Sequence, residues 1–332
     1  MFGWGGDGSG SVAPGTREYC STSKAAAGPV EISTPHAMAC VSAGHGISLG
    51  ITVTERVLVW GSNPASAGGW GSPPSLAEPK WIPEVEQVRR VVAGEFLFGA
   101  IDDDGVVHTW GFNTEGALGR PTTHLNSAPG AVSAIPPATE LALGKGYMLA
   151  LTRGGEIYGW GNNAAGQLGL GNLTSATTPQ LVPLATKIRS VASGATHSLA
   201  IAADGALWAW GSNHHGQLGL ESPGYRSVPV RVDVPERVRS IAAGMHFSVA
   251  LGDSGQVYAW GWNRQGQLGL GDAQDRRVVT RVPALSRAHA IAAGESHAAA
   301  FTDDGLYGWG SNAAGQIGAG ERHQLQPRSL LP

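Results

Sequence analysis

The side chains able to do chemistry are few and scattered along the chain. His214-His215 sets two imidazoles side by side, but no further ligands stand at metal-binding spacing around them. Asp102-Asp103-Asp104 offers three adjacent carboxylates, yet Asp104-Gly105 occupies the same place in a repeated pattern as Asp204-Gly205 and reads as a hairpin turn. His197 and His297 each stand three residues after a repeated glycine, where a buried imidazole held by backbone hydrogen bonds is expected rather than a general base. Gly-Leu-Gly phrases recur, but no helix follows them to complete a phosphate cradle. Asn172-Leu173-Thr174 matches a glycosylation acceptor without a secretion signal to support it. No Ser-His-Asp set or carboxylate pair emerges. The expectation is a chain with no catalytic residue, no cofactor and no metal.

Bulk properties narrow the class. The chain has 332 residues, 42% hydrophobic, 14% charged, with a net charge of −3. That balance supplies no general positive field for nucleic acid. The basic pairs Arg89-Arg90 and Arg276-Arg277 read as solvated strand edges or loops. Two cysteines, Cys20 and Cys40, make neither a disulfide framework nor a metal site. No apolar run is long enough to span a membrane. The opening MFGWGGDGSG lacks the basic and apolar regions of a signal peptide, so an intracellular compartment is expected.

The elements that position these residues come from an internal repeat. Trp-Gly pairs begin at Trp4, Trp60, Trp110, Trp160, Trp210, Trp260 and Trp309, with a 50-residue step from Trp60 to Trp260. Gly44, Gly94, Gly144, Gly194, Gly244 and Gly294 keep the same period. In one copy, His197 to Ile201 is a short apolar strand, Ala203-Asp204-Gly205 a turn, and Leu207 to Gly211 an alternating return strand. A loop containing Gly216-Gln217-Leu218-Gly219 follows, then strands at Pro229 to Val232 and Val238 to Ala242. Four strands per copy and no helical period predict stacked four-stranded sheets, an all-β propeller. Small residues beside the repeated glycine would let inner strands crowd together, and the Trp would fill the gap between sheets.

Seven Trp-Gly pairs predict seven blades in a single propeller over 1–332. The repeats run 44–93, 94–143, 144–193, 194–243 and 244–293, with partial blades at 1–43 and 294–332. Only 26 residues (23 + 3) separate Trp309 from Trp4 around the ends, so one blade is expected to lack about two strands or to close from both termini.

Ala-Gly-x-x-His, an apolar strand, Asp-Gly, a Trp-Gly strand, Asn-x-x-Gly-Gln-Leu-Gly and a later Pro resemble the repeat of the regulator of chromosome condensation family. The resemblance covers 44–320, best at 194–243 and 244–293, and departs at Ser62 to Gly71. It implies a seven-bladed propeller and a partner-binding rim just after each repeated glycine. The matching residues are His45, Glu95, Phe96, Lys145, Thr196, Met245, His246, Glu295 and Ser296. No Trp occupies these places, which excludes the tryptophan-cluster light sensing of a plant relative. The founding member uses acidic and His rim residues to promote nucleotide exchange on a small GTPase. This chain has a mixed acidic and His rim, but neither the inserted wedge nor the basic tail of that member. The reading is therefore a non-enzymatic protein-binding scaffold, a monomeric propeller within a complex. Trp262 and Arg264 are candidate outer contacts because aromatics and Arg concentrate binding energy. Exchange activity is the second reading. Enzyme inhibition, as in a secreted bacterial relative, is the third.

Overall fold

The computed structural model describes residues 2–6, 25–31, 36–62, 75–94, 96–122, 124–318 and 321–330. Apart from a 3-10 turn at Thr114–Gly116, the described residues are strands, turns and loops. The chain is an all-β propeller of four-stranded blades, six of them among the described residues. Each blade is an antiparallel meander taken in chain order, covering 38–81, 88–132, 138–181, 188–232, 238–281 and 288–329. Blade four shows the pattern, with strands Ile188–Ser193, His197–Ala202, Leu207–Ser212 and Tyr225–Val232.

This corrects the expected count of seven. Among the described residues, the strand Phe2–Gly6, which carries the Trp4-Gly5 pair, joins only Ala25–Glu31 in a two-stranded sheet. Nor, among the described residues, is a blade shared by the termini: Gly305–Ser311 and His323–Ser329 complete the last blade with Ala288–Ala293 and His297–Thr302. The repeat frame also shifts. The strand before each repeated glycine belongs to the same sheet as the strand after it, because the short turn at that glycine makes them antiparallel neighbours.

Two compact units divide the chain. Unit one is Met1–Arg153, Tyr158–Asn162 and Ser175–Gln180; unit two is Gly154–Ile157, Asn163–Thr174 and Leu181–Pro332. Within each, the apolar core lies between neighbouring sheets. In unit two, Leu199, Ile201, Leu207 and Ala209 of blade four meet Ala250, Tyr258 and Trp260 of blade five. In unit one, Leu97, Ile101 and Val107 of blade two meet Met148, Ala150 and Trp160 of blade three. Within each unit the first strands of adjacent blades touch, and in unit two a Cβ on Gly194 would lie 2.5 Å from the Gly244 carbonyl oxygen. Glycine at that place is a packing requirement.

The Trp-Gly pair has two separate causes. Trp60, Trp110, Trp160, Trp210, Trp260 and Trp309 are all essentially fully buried. In unit two the indole N–H of Trp210, Trp260 and Trp309 donates to the backbone carbonyl of Gln167, Gln217 and Gln267 at 2.8, 2.9 and 2.9 Å. Trp160 does the same with Ala117 at 3.0 Å in unit one. Each of these four Trp thus fills the space between sheets while latching onto the Gly-Gln-Leu-Gly-type loop of the preceding repeat. The following glycines adopt positive φ, for example 98° at Gly211 and 106° at Gly261, where a side chain would strain the backbone.

The loop's polar residues are structural as well. Asn213 Oδ1 accepts from Leu218 N at 2.9 Å and its amide donates to the Leu220 and Ser222 carbonyls; Gln217 Oε1 accepts from His215 N. Asn163 and Asn263 repeat the arrangement. Asn172, the residue of the glycosylation-like triplet, accepts from Thr174 N and from the Asn163 amide, which ties it into the loop. A bulge at the second residue of the first strand recurs in every blade. Such a bulge re-aims its side chain. In unit two it turns Arg189 onto the Val238 and Arg239 carbonyls, and Arg239 onto those of Ala288 and His289.

Candidate functional site

Each repeated glycine opens the turn from first to second strand, and one hydrogen bond fixes what stands beside that turn. Trp262 N donates to the His246 carbonyl, Ser212 N to Thr196, Ser311 N to Ser296 and Phe112 N to Phe96, all at 2.8–2.9 Å. The residue two places after the Trp therefore sits beside the residue two places after the repeated glycine. In unit one this brings Phe96 and Phe112 together, ring centroids 5.5 Å apart. In unit two it joins His246 to Trp262, with centroids 6.3 Å apart.

His215 completes the second group. It lies 5.4 Å from the His246 ring and 6.2 Å from the Trp262 ring. Its Nδ1 is 3.3 Å from Asp275 Oδ2, while Asp275 Oδ1 accepts from Asn263 N at 2.9 Å. His214 packs edge-on against Tyr225 at 4.8 Å on the same loop. Beside them the backbone of Met245 bridges blades: its carbonyl accepts from Ala195 N and its N–H donates to the Glu295 carbonyl. Met245, His246, Thr196, Ser296 and Trp262 are half-buried, and Glu295 and Arg264 exposed. Unit two thus presents half-buried aromatic and imidazole surface on a fixed backbone, flanked by charge.

Of the residues expected from the sequence, the structure brings together His246 and Trp262 and links Met245 to Glu295. In unit one, His45 and Lys145 are exposed and Phe96 is half-buried against Phe112. Glu95 lies outside the described residues. His215, Tyr225 and Asp275 were not among the expected contacts. The signal for the His246–Trp262 pair was available in the shared spacing from Gly244 and Trp260; His215 comes from a different repeat and left no local sign.

The other chemical candidates resolve into scaffolding. Asp102 accepts from Asp104 N and Val106 N and contacts His108 Nε2 at 2.9 Å, so it closes its hairpin turn. Arg89 pairs with Asp103, and Arg276 with Asp272. Among the described residues no group of three or more His, Cys, Asp or Glu could hold a metal ion, and no helix is long and apolar enough to cross a membrane.

His197 is fully buried, and its Nε2 lies 2.9 Å from Ser248 Oγ in the next blade. Burial, with His246 nearby, pushes its pKa down to about 3. The folded protein therefore holds this imidazole neutral while the unfolded chain protonates it near its ordinary value of 6.5. Below that pH the unfolded state binds the extra proton. Its contribution to stability is complete above pH 6.5 and is lost as pH falls towards 3, at up to about 1.4 kcal/mol per unit. Burial shifts His297 in the same direction. Urea melts between pH 7.5 and 5 should show stability falling below 6.5. His197→Gln should flatten that slope; an unchanged slope would remove His197 as its source.

Residues 1–331 of the 332 match the model of the RCC1-like domain. It belongs to the RCC1-like domain family. Solved RCC1-type propellers superpose on it. Human WBSCR16 is 25% identical with a TM-score of 0.88, covering 100% of this chain and 94% of that one. The structure of Kap60 bound to yeast RCC1 (Prp20) contains a match at 23% identity and TM-score 0.84, over 100% and 83%. Prp20p of Saccharomyces cerevisiae gives 25%, 0.75, and 88% and 76%. No curated protein sequence matches the chain. Against the RCC1-like pattern, the latching Trp and the Asn and Gln of the loops carry the fold, while the residues after each repeated glycine vary in chemistry.

Proposed function

We propose that this RCC1-like chain is a non-enzymatic docking protein that holds a protein partner against unit two, on the surface bearing Met245, His246, Trp262 and His215. The observation that carries the reading is the His215–His246–Trp262 cluster, three half-buried rings within 6.3 Å of one another. Rigid aromatic side chains lose little entropy on binding and anchor interfaces, and the exposed Glu295 and Arg264 provide a polar rim. Purification of the tagged chain with and without Trp262→Ala and His246→Ala tests it. The variants should lose at least about tenfold of the recovered partner, which corresponds to 1.4 kcal/mol, with melting temperatures unchanged. Full recovery by both variants would sink the assignment.

Nucleotide exchange on a small GTPase is the second reading. It is favoured by the mixed His and acidic character of His246 and Glu295 and by the similarity to Prp20p, whose structure was reported with its binding to Gsp1p and histones. Nucleotide release from a panel of small GTPases decides it. Rates no faster than intrinsic for every member would end that reading.

A further inference from the structure

Blade two departs from its sister repeats at two positions that meet in space. Where Leu170, Leu220 and Leu270 stand in other copies, this blade has Arg120. Leu220 and Leu270 are half-buried against the apolar core of their unit. Where the other copies have Gln180, Val230 and Thr280, this blade has Gly130. The two changes fit each other, because a Cβ on Gly130 would lie 2.7 Å from Arg120 Cζ and 2.8 Å from Nη1. With a side chain at position 130 the guanidinium would have to move from this place.

That guanidinium is half-buried at the wall of an open pocket of about 490 Å³, lined also by Pro121, Thr122, His124, Ser127 and Pro129. Its Nη2 donates to the Thr109 and Ala128 carbonyls at 3.0 and 2.5 Å. Its Nε points to Thr109 Oγ1 at 3.4 Å. Among the described residues Nη1 makes no hydrogen bond and no carboxylate pairs with the group. Burial lowers its pKa. The Thr122 and Ser127 hydroxyls both donate to the His124 carbonyl, so the permanent charge of the pocket is that of Arg120. Partly burying a cation without its counter-ion is unfavourable, and a leucine in this place would avoid the cost.

We propose that this pocket recognises a carboxylate side chain of a partner protein, received by Arg120 Nη1. One guanidinium balances the single charge of a carboxylate and gives a charge-assisted hydrogen bond to it. A phosphate group carries about −1.5 to −2 and would leave charge uncompensated here. The site lies in unit one. Its test uses a peptide alone, so it stands or falls apart from the His246–Trp262 surface.

Fluorescence anisotropy with the full chain reads the outcome, using a labelled Gly-Ser peptide with a single central Glu and its Gln counterpart. The Glu peptide should bind at least about tenfold more tightly at low salt, equivalent to 1.4 kcal/mol. Arg120→Leu, which restores the residue of the sister repeats, should bring both peptides to the weaker level while the melting temperature stays the same or rises. Arg120→Gln should show the same loss of binding, and serves if the Leu variant does not fold. Equal binding of the two peptides, or unaltered Glu-peptide binding by the variants, overturns the proposal. A lowered melting temperature with unaltered binding makes Arg120 a structural staple and overturns it too. Inorganic phosphate binding where the Glu peptide does not would assign the pocket to phosphate instead.

Discussion

Gly211→Ala is expected to lower the unfolding free energy by about 3–5 kcal/mol, among the largest effects available to a single methyl group in this chain. Two costs combine. The residue sits at φ 98°, where an L side chain strains the backbone. Its new Cβ would also lie 2.5 Å from the Thr196 carbonyl oxygen and 2.8 Å from His197 Cα, both backbone atoms that cannot swing aside. Gly224→Ala separates the two costs. That glycine has a similar φ of 104° with nothing within 4 Å of an added Cβ, so it should show the strain alone, about 1–2 kcal/mol. Urea melts of both variants measure the difference. Equal losses would refute the role given to the close approach.

Trp260→Ala should cost about 3–5 kcal/mol through lost burial and the cavity left between blades four and five. Trp260 is fully buried and contributes to the shared core of those blades. Trp260→Phe keeps most of the apolar volume but deletes the N–H that donates to the Gln217 carbonyl at 2.9 Å. That carbonyl still accepts from Ser248 Oγ at 2.8 Å, so the hydrogen-bond loss should be about 1 kcal/mol beyond the lost volume. Trp110 provides the comparison: its indole nitrogen is buried with no partner among the described residues. Trp110→Phe should therefore cost less than Trp260→Phe in thermal melts. The reverse order would show that the latch contributes nothing to stability.

These positions also show how far local reading reaches. Trp210-Gly211 and Asp204-Gly205 are legible because their cause is local. Alternation places the Trp on a buried face, and glycine at φ 98° or 87° serves a turn or bulge whatever lies elsewhere. Asn213 and Gln217 were legible as a repeated phrase but not as hydrogen-bonding groups, since their partners are backbone atoms placed by loop closure. The residues after each glycine could be named from the repeat as positions, yet His246 and Trp262 come together with His215, which belongs to another repeat.

By itself, the sequence determined that this is an all-β repeat protein of the RCC1-like kind, with four strands to a copy. Periodicity, turn chemistry and composition are properties of short segments, and each segment carries its own. The number of blades was decided only in the tertiary structure. A Trp-Gly pair marks one strand, and a sheet exists only when that strand finds partners. Trp4-Gly5 found one, in Ala25–Glu31, while Trp309-Gly310 found a full set from its own end of the chain. The same reason governs function. Arg120 and Gly130 are ordinary residues in isolation; folding brings them together and leaves Arg120 half-buried with Nη1 unbonded among the described residues.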